Sequence, residues 1–248
     1  MSLISVDNVT FGYARGRQVL DCVSFTVKPG ASVGLVGESG SGKTTVLRLL
    51  LGLARPDSGT IHFDGAVLDP RNAGFMRGYR RQVQAVFQDP YSSLDPRQNV
   101  LSIISEPLRS LGITGDRRAL VSAALDSVGL DASILQRYPH EFSGGQRQRI
   151  AIARAIVAQP KLLLADEAVS ALDLSTRIRI VELLKRLAAD MTLVFVSHDL
   201  GVVAALCDEI VILDQGRIVE AGPTRKILDA PQHPYTQALL ASVPRMPA

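Results

Sequence analysis

Gly37-Glu38-Ser39-Gly40-Ser41-Gly42-Lys43-Thr44 carries the spacing G-x-x-x-x-G-K-T, a pattern of residue types suited to holding a polyphosphate. Glycines let successive backbone N–H groups turn inward around the β-phosphate, and a helix that follows points its positive end at the same anion. In such a loop Lys43 reaches the β/γ oxygens and the Thr44 hydroxyl ligands Mg²⁺, with Ser39, Gly40, Ser41, Gly42 and Thr45 among the positions that touch the nucleotide. The flanking sequence supplies the elements the loop needs. Residues 32–36 read as an apolar strand and residues 45–51 as a helix. The sequence therefore predicts a nucleoside triphosphate site, without saying what its hydrolysis drives.

Further along, Ser143-Gly144-Gly145-Gln146 opens a helix-patterned segment, residues 147–158, and again offers bare N–H groups to an anion. It is followed by Leu162-Leu163-Leu164-Ala165-Asp166-Glu167, an apolar strand ending in two carboxylates. A strand of that composition is buried on both faces of a parallel sheet, and the carboxyl edge of such a sheet is where ligands bind. Asp166 is placed there to hold Mg²⁺ through water.

Together these segments resemble the ABC-type ATPases. Phe142-Ser143-Gly144-Gly145-Gln146 is similar to the family signature LSGGQ, with Phe at the apolar first place. The resemblance implies ATP and Mg²⁺ as cofactors and assigns roles by position. Ser143, Gly144, Gly145 and Gln146 would meet the γ-phosphate of ATP held by another subunit. Glu167 would be the general base that polarises the attacking water. Ser170-Ala171-Leu172-Asp173 resembles the D-loop, which crosses the dimer interface. His198, in Ser197-His198-Asp199, resembles the switch histidine that contacts the γ-phosphate. Gln88 matches the glutamine that reaches Mg²⁺ and the water, and Tyr13, in Phe11-Gly12-Tyr13, the aromatic that stacks on adenine.

Apolar periodicity gives an α/β pattern with a β-rich flank and an inserted helical subdomain, and the resemblance implies for it the fold of a P-loop NTPase of the ABC type. Residues 3–11, 19–27 and 60–63 alternate as strands around the loop. Residues 99–111 and 117–128 are helical, with Pro107 expected to kink or end the first and Gly129 to close the second. From residue 161 strands and helices alternate as βα units, and Asp214-Gln215-Gly216-Arg217 reads as a hairpin turn. The expected organisation is one domain over residues 1–248: a core of residues 1–88 and 159–248, and a helical subdomain near 89–158.

Composition narrows the class of function. A formal charge of +3 with Arg spread along the chain offers no stripe for nucleic acid. The mean hydropathy of +0.17 is ordinary for a soluble domain, no apolar run is long enough to span a bilayer, and the N-terminus lacks a leader pattern. Cys22 and Cys207, each in an apolar run, are expected to be small buried hydrophobes, too few for a four-thiolate site. His62, His140 and His233 lack metal-ligand spacing, so no nickel site is expected on this chain.

Within the family, residues 89–97, Tyr138-Pro139-His140-Glu141-Phe142 and His233-Pro234-Tyr235-Thr236-Gln237 resemble the ATP-binding subunits of dipeptide, oligopeptide and nickel importers. That resemblance implies a second, paralogous ATPase chain, two membrane permeases and an extracytoplasmic solute-binding protein as partners. It implies a peripheral place on the cytoplasmic face of the inner membrane. The short stretch after His233 resembles the smaller of two paired ATPases. The segment after Gln88, around residues 91–94, is expected to line the socket for a permease helix. The alternative is an ABC subunit of a soluble complex such as the phosphonate-cleaving machinery, whose ABC subunit shares the His-Pro-Tyr-Thr ending.

Overall fold

The computed structural model describes residues 2–14 and 17–242. Along the chain the elements run β1 (Ile4–Ala14), β2 (Arg17–Val27), β3 (Ser32–Val36), α1 (Lys43–Leu50), β4 (Ser58–Phe63), β5 (Ala66–Val67), α2 (Ala73–Gln82), β6 (Val83–Val86), α3 (Pro90–Ser93), α4 (Val100–Ser110), α5 (Arg117–Ser127), α6 (Gly144–Ile156), β7 (Leu162–Asp166), α7 (Leu174–Leu187), β8 (Thr192–Ser197), α8 (Leu200–Leu206), β9 (Glu209–Asp214), β10 (Arg217–Pro223), α9 (Thr224–Asp229) and α10 (Pro234–Ala241). They form two compact units, one of Met1–Met76 with Ala188–Ala248 and one of Arg77–Leu187.

In the first unit an antiparallel sheet runs β2-β1-β4-β5, with Ile4 opposite both Val27 and Phe63. A second sheet places β3 between β8 and β9, parallel to both, so that Val36 stands beside Ser197 and Ile212. All five residues of β3 are buried, as the continuous apolar run of a parallel strand requires. β10 folds back on β9 through a two-residue turn in which Gln215 and Gly216 both have positive φ, the conformation that matches strand twist in a tight hairpin.

Cys22 departs from expectation: Cys207 is buried but Cys22 is exposed. Its φ is +50° and the β1–β2 register slips between Val9, Phe11 and Gly12, so the strict alternation assumed for a regular strand fails there.

In the second unit β6 and β7 pair in parallel, Val86 beside Ala165, and α3, α4 and α5 pack on α6. The buried face of α6 includes Ile150, Ile152 and Ala153, and Arg154 Nη1 donates to the Ser93 carbonyl at 2.6 Å, tying α3 down. The helix starts are written in side chains. Asn99 Oδ1 accepts from Ser102 N at 2.9 Å and Asp116 Oδ1 from Arg118 N at 2.9 Å. Pro107 does not end α4, which continues to Ser110, because its carbonyl still accepts from Leu111 N at 3.0 Å and only its own missing N–H is forfeited.

Candidate functional site

The phosphate loop leaves β3 at its carboxyl end. Gly37 is buried, and a Cβ there would lie 2.2 Å from the Leu213 carbonyl oxygen and 2.6 Å from Ser41 Oγ, so no larger residue fits. Gly42 takes φ +109° as the residue before α1, a backbone state that favours glycine. Lys43 is only 6% exposed, and its Nζ donates to the carbonyls of Gly37 at 2.7 Å and Glu38 at 2.8 Å. The ammonium is thus held inside the curve of the loop. Gly216 N donates to the Ser41 carbonyl at 2.9 Å, so the β9–β10 turn braces the loop from behind.

Two observations fit this loop to a phosphate. α1 has no side-chain cap, so no capping side chain competes with an outside acceptor at its start. Ser41 Oγ is buried with no hydrogen-bond partner among the described residues. Ser39, Gly40 and Thr44 are exposed and Thr45 is buried. Thr44 is thereby open to a cation while Thr45 faces inward.

Tyr13 stands beside the same helix. Its hydroxyl lies 3.2 Å from Thr45 Oγ1, Arg48 sits 5.8 Å from its ring centroid, and Phe11 meets it edge-on at 4.9 Å. Burial works to raise the Tyr13 phenol, but the hydrogen bonds with Thr45 and Arg48 and the Arg48 charge outweigh it and hold the group below its ordinary value. The ring is 57% exposed, a flat surface free to stack. His198 follows Ser197, whose neighbour across the sheet is Val36, so His198 and Gly37 leave adjacent strands at one edge. His198 is exposed, while Asp199 turns aside to cap α8 through Gly201 N at 2.9 Å and Val202 N at 3.2 Å.

In the second unit Asp166 ends β7, and Glu167 has φ +44°, a left-handed state unusual for Glu. Gln88 is exposed, two residues past β6, and its Nε2 donates to Ser170 Oγ at 3.2 Å; Ser170 Oγ in turn donates to the Glu167 carbonyl at 3.0 Å. Gln88, Ser170 and the Glu167 backbone are thus one hydrogen-bonded chain. Beyond them Asp173 accepts from Thr176 N at 3.0 Å and from Ser175 Oγ at 2.8 Å, bonds that push its carboxyl down to about 2.

The Ser143 segment closes on itself. Ser143 Oγ accepts from Gln146 N at 3.3 Å and Gln146 Oε1 accepts from Ser143 N at 3.1 Å, a reciprocal cap at the start of α6. The two glycines differ. A Cβ on Gly144 would meet the Tyr91 hydroxyl at an ordinary 3.6 Å, whereas one on Gly145 would stand 2.4 Å from Thr176 Cγ2, so Gly145 is required by the packing of α7. Phe142 is buried, with the Arg137 guanidinium 4.6 Å over its ring. Tyr91 is 60% exposed under the Arg147 guanidinium, at 4.2 Å. Leu94, expected with Tyr91 in an accessible socket, is instead 2% exposed. Its apolar side chain goes to the core of the unit.

One contact at the phosphate loop is invisible in the sequence: Glu38 N donates to the Tyr235 hydroxyl at 3.0 Å. The His-Pro-Tyr-Thr run marked a resemblance, but no spacing rule links residue 235 to residue 38.

A loop of this kind leading into an uncapped helix, on a sheet with parallel β9, β3 and β8, defines a nucleotide-binding domain. The chain belongs to the ABC transporter family, whose model matches residues 20–170. A second model, the C-terminal region of oligopeptide/dipeptide transporters, matches residues 219–248. Among curated proteins the chain is 49% identical over 234 residues to the glutathione import ATP-binding protein GsiA of Escherichia coli O157:H7 and 50% identical to that of Salmonella typhimurium strain LT2. Each alignment covers 93% of this chain, which spans only 38% of those relatives' length. Among solved structures it resembles cbiO1 from Clostridium perfringens, part of the ABC transporter complex cbiONQ, with a TM-score of 0.84 and 26% identity over 92% of this chain and 91% of that one. It also resembles the ATP-binding cassette MJ0796, a dimer in a post-hydrolysis state bound to ADP and Pi, with a TM-score of 0.78 and 31% identity over 90% and 99% of the two chains.

Proposed function

We propose that this chain binds ATP with Mg²⁺ and hydrolyses it to power import of peptide-sized solutes, as one cassette of an ABC importer. The observation that carries the reading is the joining, in one chain, of the ABC transporter match to the oligopeptide/dipeptide C-terminal match. That second match favours a peptide over nickel as cargo, and over a place in a soluble phosphonate-cleaving complex. GsiA is named for import of glutathione, itself a tripeptide.

In this reading the phosphate loop, with Gly37, Ser39, Gly40, Ser41, Gly42, Lys43, Thr44 and Thr45, binds the phosphates. Thr44, Asp166 and Gln88 serve Mg²⁺. Glu167 polarises the water, His198 contacts the γ-phosphate and Tyr13 stacks on adenine. The segment from Ser143 to Gln146 completes the site of a second, paralogous cassette. Residues 89–158 act as the helical subdomain of a single ATPase domain, and the exposed Tyr91, resting on Arg147, meets a permease. Two permeases and an extracytoplasmic binding protein complete the assembly. The chain works from the cytoplasmic face of the inner membrane; among the described residues no helix is long and apolar enough to cross a bilayer.

The test is co-expression with candidate permeases and reconstitution in vesicles. Uptake of a labelled di- or tripeptide should require ATP and cease in Glu167→Gln. Tyr91→Ala should lower uptake while leaving ATP binding intact. ATP hydrolysis with no permease in stoichiometric association would end the transport reading while keeping the nucleotide one.

A further inference from the structure

The peptide joining Gly37 to Glu38 is gripped at both ends. Its carbonyl, on Gly37, accepts from Lys43 Nζ at 2.7 Å, and its N–H, on Glu38, donates to the Tyr235 hydroxyl at 3.0 Å. A trans peptide is planar, with N–H and C=O pointing opposite ways. Turning it over would therefore break both bonds and aim an N–H at the Lys43 ammonium. We propose that Tyr235 is a positioning residue for nucleotide binding: its hydroxyl fixes the orientation of the Gly37–Glu38 peptide, which in turn fixes Lys43.

The Lys43 ammonium donates to the carbonyls of Gly37 and Glu38. A loop free to turn its first peptide would exchange one of these acceptors for a donor and displace the charge that meets the phosphates. Gly37 cannot be held by side-chain packing, since it has no side chain and a Cβ would collide with the Leu213 carbonyl. The restraint must come from a hydrogen bond. Tyr235 is half-buried, and burial raises its phenol above the ordinary value, so the hydroxyl stays protonated.

The tyrosine is itself placed from β10. Glu220 Oε1 accepts from Gln232 N at 3.0 Å and Oε2 from His233 N at 3.2 Å, and His233 Nδ1 accepts from Tyr235 N at 3.2 Å, setting the first turn of α10. The line Glu220, His233, Tyr235, Glu38 carries the position of the C-terminal region to the phosphate loop. The segment matched by the oligopeptide/dipeptide C-terminal model thereby gains a role in nucleotide affinity.

The inference rests on the reading of the loop as an ATP site, and the experiment separates the two. Full-length chain is titrated with ATP and with ADP. Wild type that binds neither would sink the nucleotide reading and this inference with it. Given wild-type binding, Tyr235→Phe, which keeps the ring and loses only the hydroxyl, should weaken both nucleotides by roughly 3- to 10-fold, the usual worth of one hydrogen bond. The melting temperature and the kcat at saturating ATP should stay near wild type. Glu220→Ala should act in the same direction, and the double variant should be weaker by less than the product of the single effects, since both act through one restraint. Wild-type affinity in Tyr235→Phe overturns the proposal. So does a loss of affinity matched by a general fall in thermal stability, or a fall in kcat with affinity unchanged.

Discussion

Two helix starts in this molecule look alike in sequence and differ in structure. α1 follows a glycine-rich turn and α6 opens on two glycines, yet α1 has no side-chain cap while α6 is closed by Ser143 and Gln146. α1 begins with a buried lysine bonded to its own loop, braced by Gly216 and Tyr235. The α6 start is exposed at Ser143 and Gln146 and satisfied by its own side chains. The first is organised to take a ligand unaided. The second is stable without one, as its proposed role in completing the site of a second cassette would require.

The largest effect separates chemistry from binding. Glu167→Gln should lower ATP turnover by at least ~10²-fold, the worth of a positioned general base, with nucleotide affinity nearly intact. Lys43→Ala should weaken binding itself, read by titration. If the two variants exchanged phenotypes, α1 and its lysine would not be the ligand-taking half.

Next in size is the packing of the α6 start. Gly145→Ala forces a methyl against Thr176 and should cost about 1 to 3 kcal/mol of stability, seen as a lower urea midpoint. Thr176→Ala in the same chain should restore much of it, and Gly144→Ala should be tolerated. Equal loss of stability from both substitutions would erase the packing difference between the two glycines.

Adenine stacking is comparable or smaller. Tyr13→Ala should raise the Kd for ATP by several-fold or more, from the about 1 to 3 kcal/mol of a base on an aromatic ring, and Tyr13→Phe should recover most of it. An unchanged Kd would remove Tyr13 from the site. The smallest effect is expected for Ser143→Ala: loss of one cap, about 1 kcal/mol, measured on the isolated chain with its ATP affinity unaltered.

The phosphate loop was legible because its function is local: eight consecutive residues carry the glycines, lysine and threonine, and the flanking apolar runs name the strand and helix. The helix caps at Asn99, Asp116 and Ser143 are likewise short-range contacts. The parts that escaped depend on distant neighbours. Cys22 is turned outward by a register slip that only the partner strand reveals. Leu94 follows two serines and looks like loop, yet it is buried among the helices of its unit. α10 carries a weak apolar period, and this short helix begins at a Pro after a His that serves as its cap. The pairing of Tyr235 with Glu38 needs the fold to exist before it can be seen.

Glu167 holds a backbone conformation that glycine or asparagine would adopt at lower cost, and a strain of this kind is worth about 1 to 3 kcal/mol. Selection for thermal endurance alone would thus pull this position away from glutamate and, in the role proposed for Glu167 as general base, toward a chain that melts later and turns over far less. On that proposed role, a thermostabilised version made by replacing strained residues wholesale would trade away turnover at this one position.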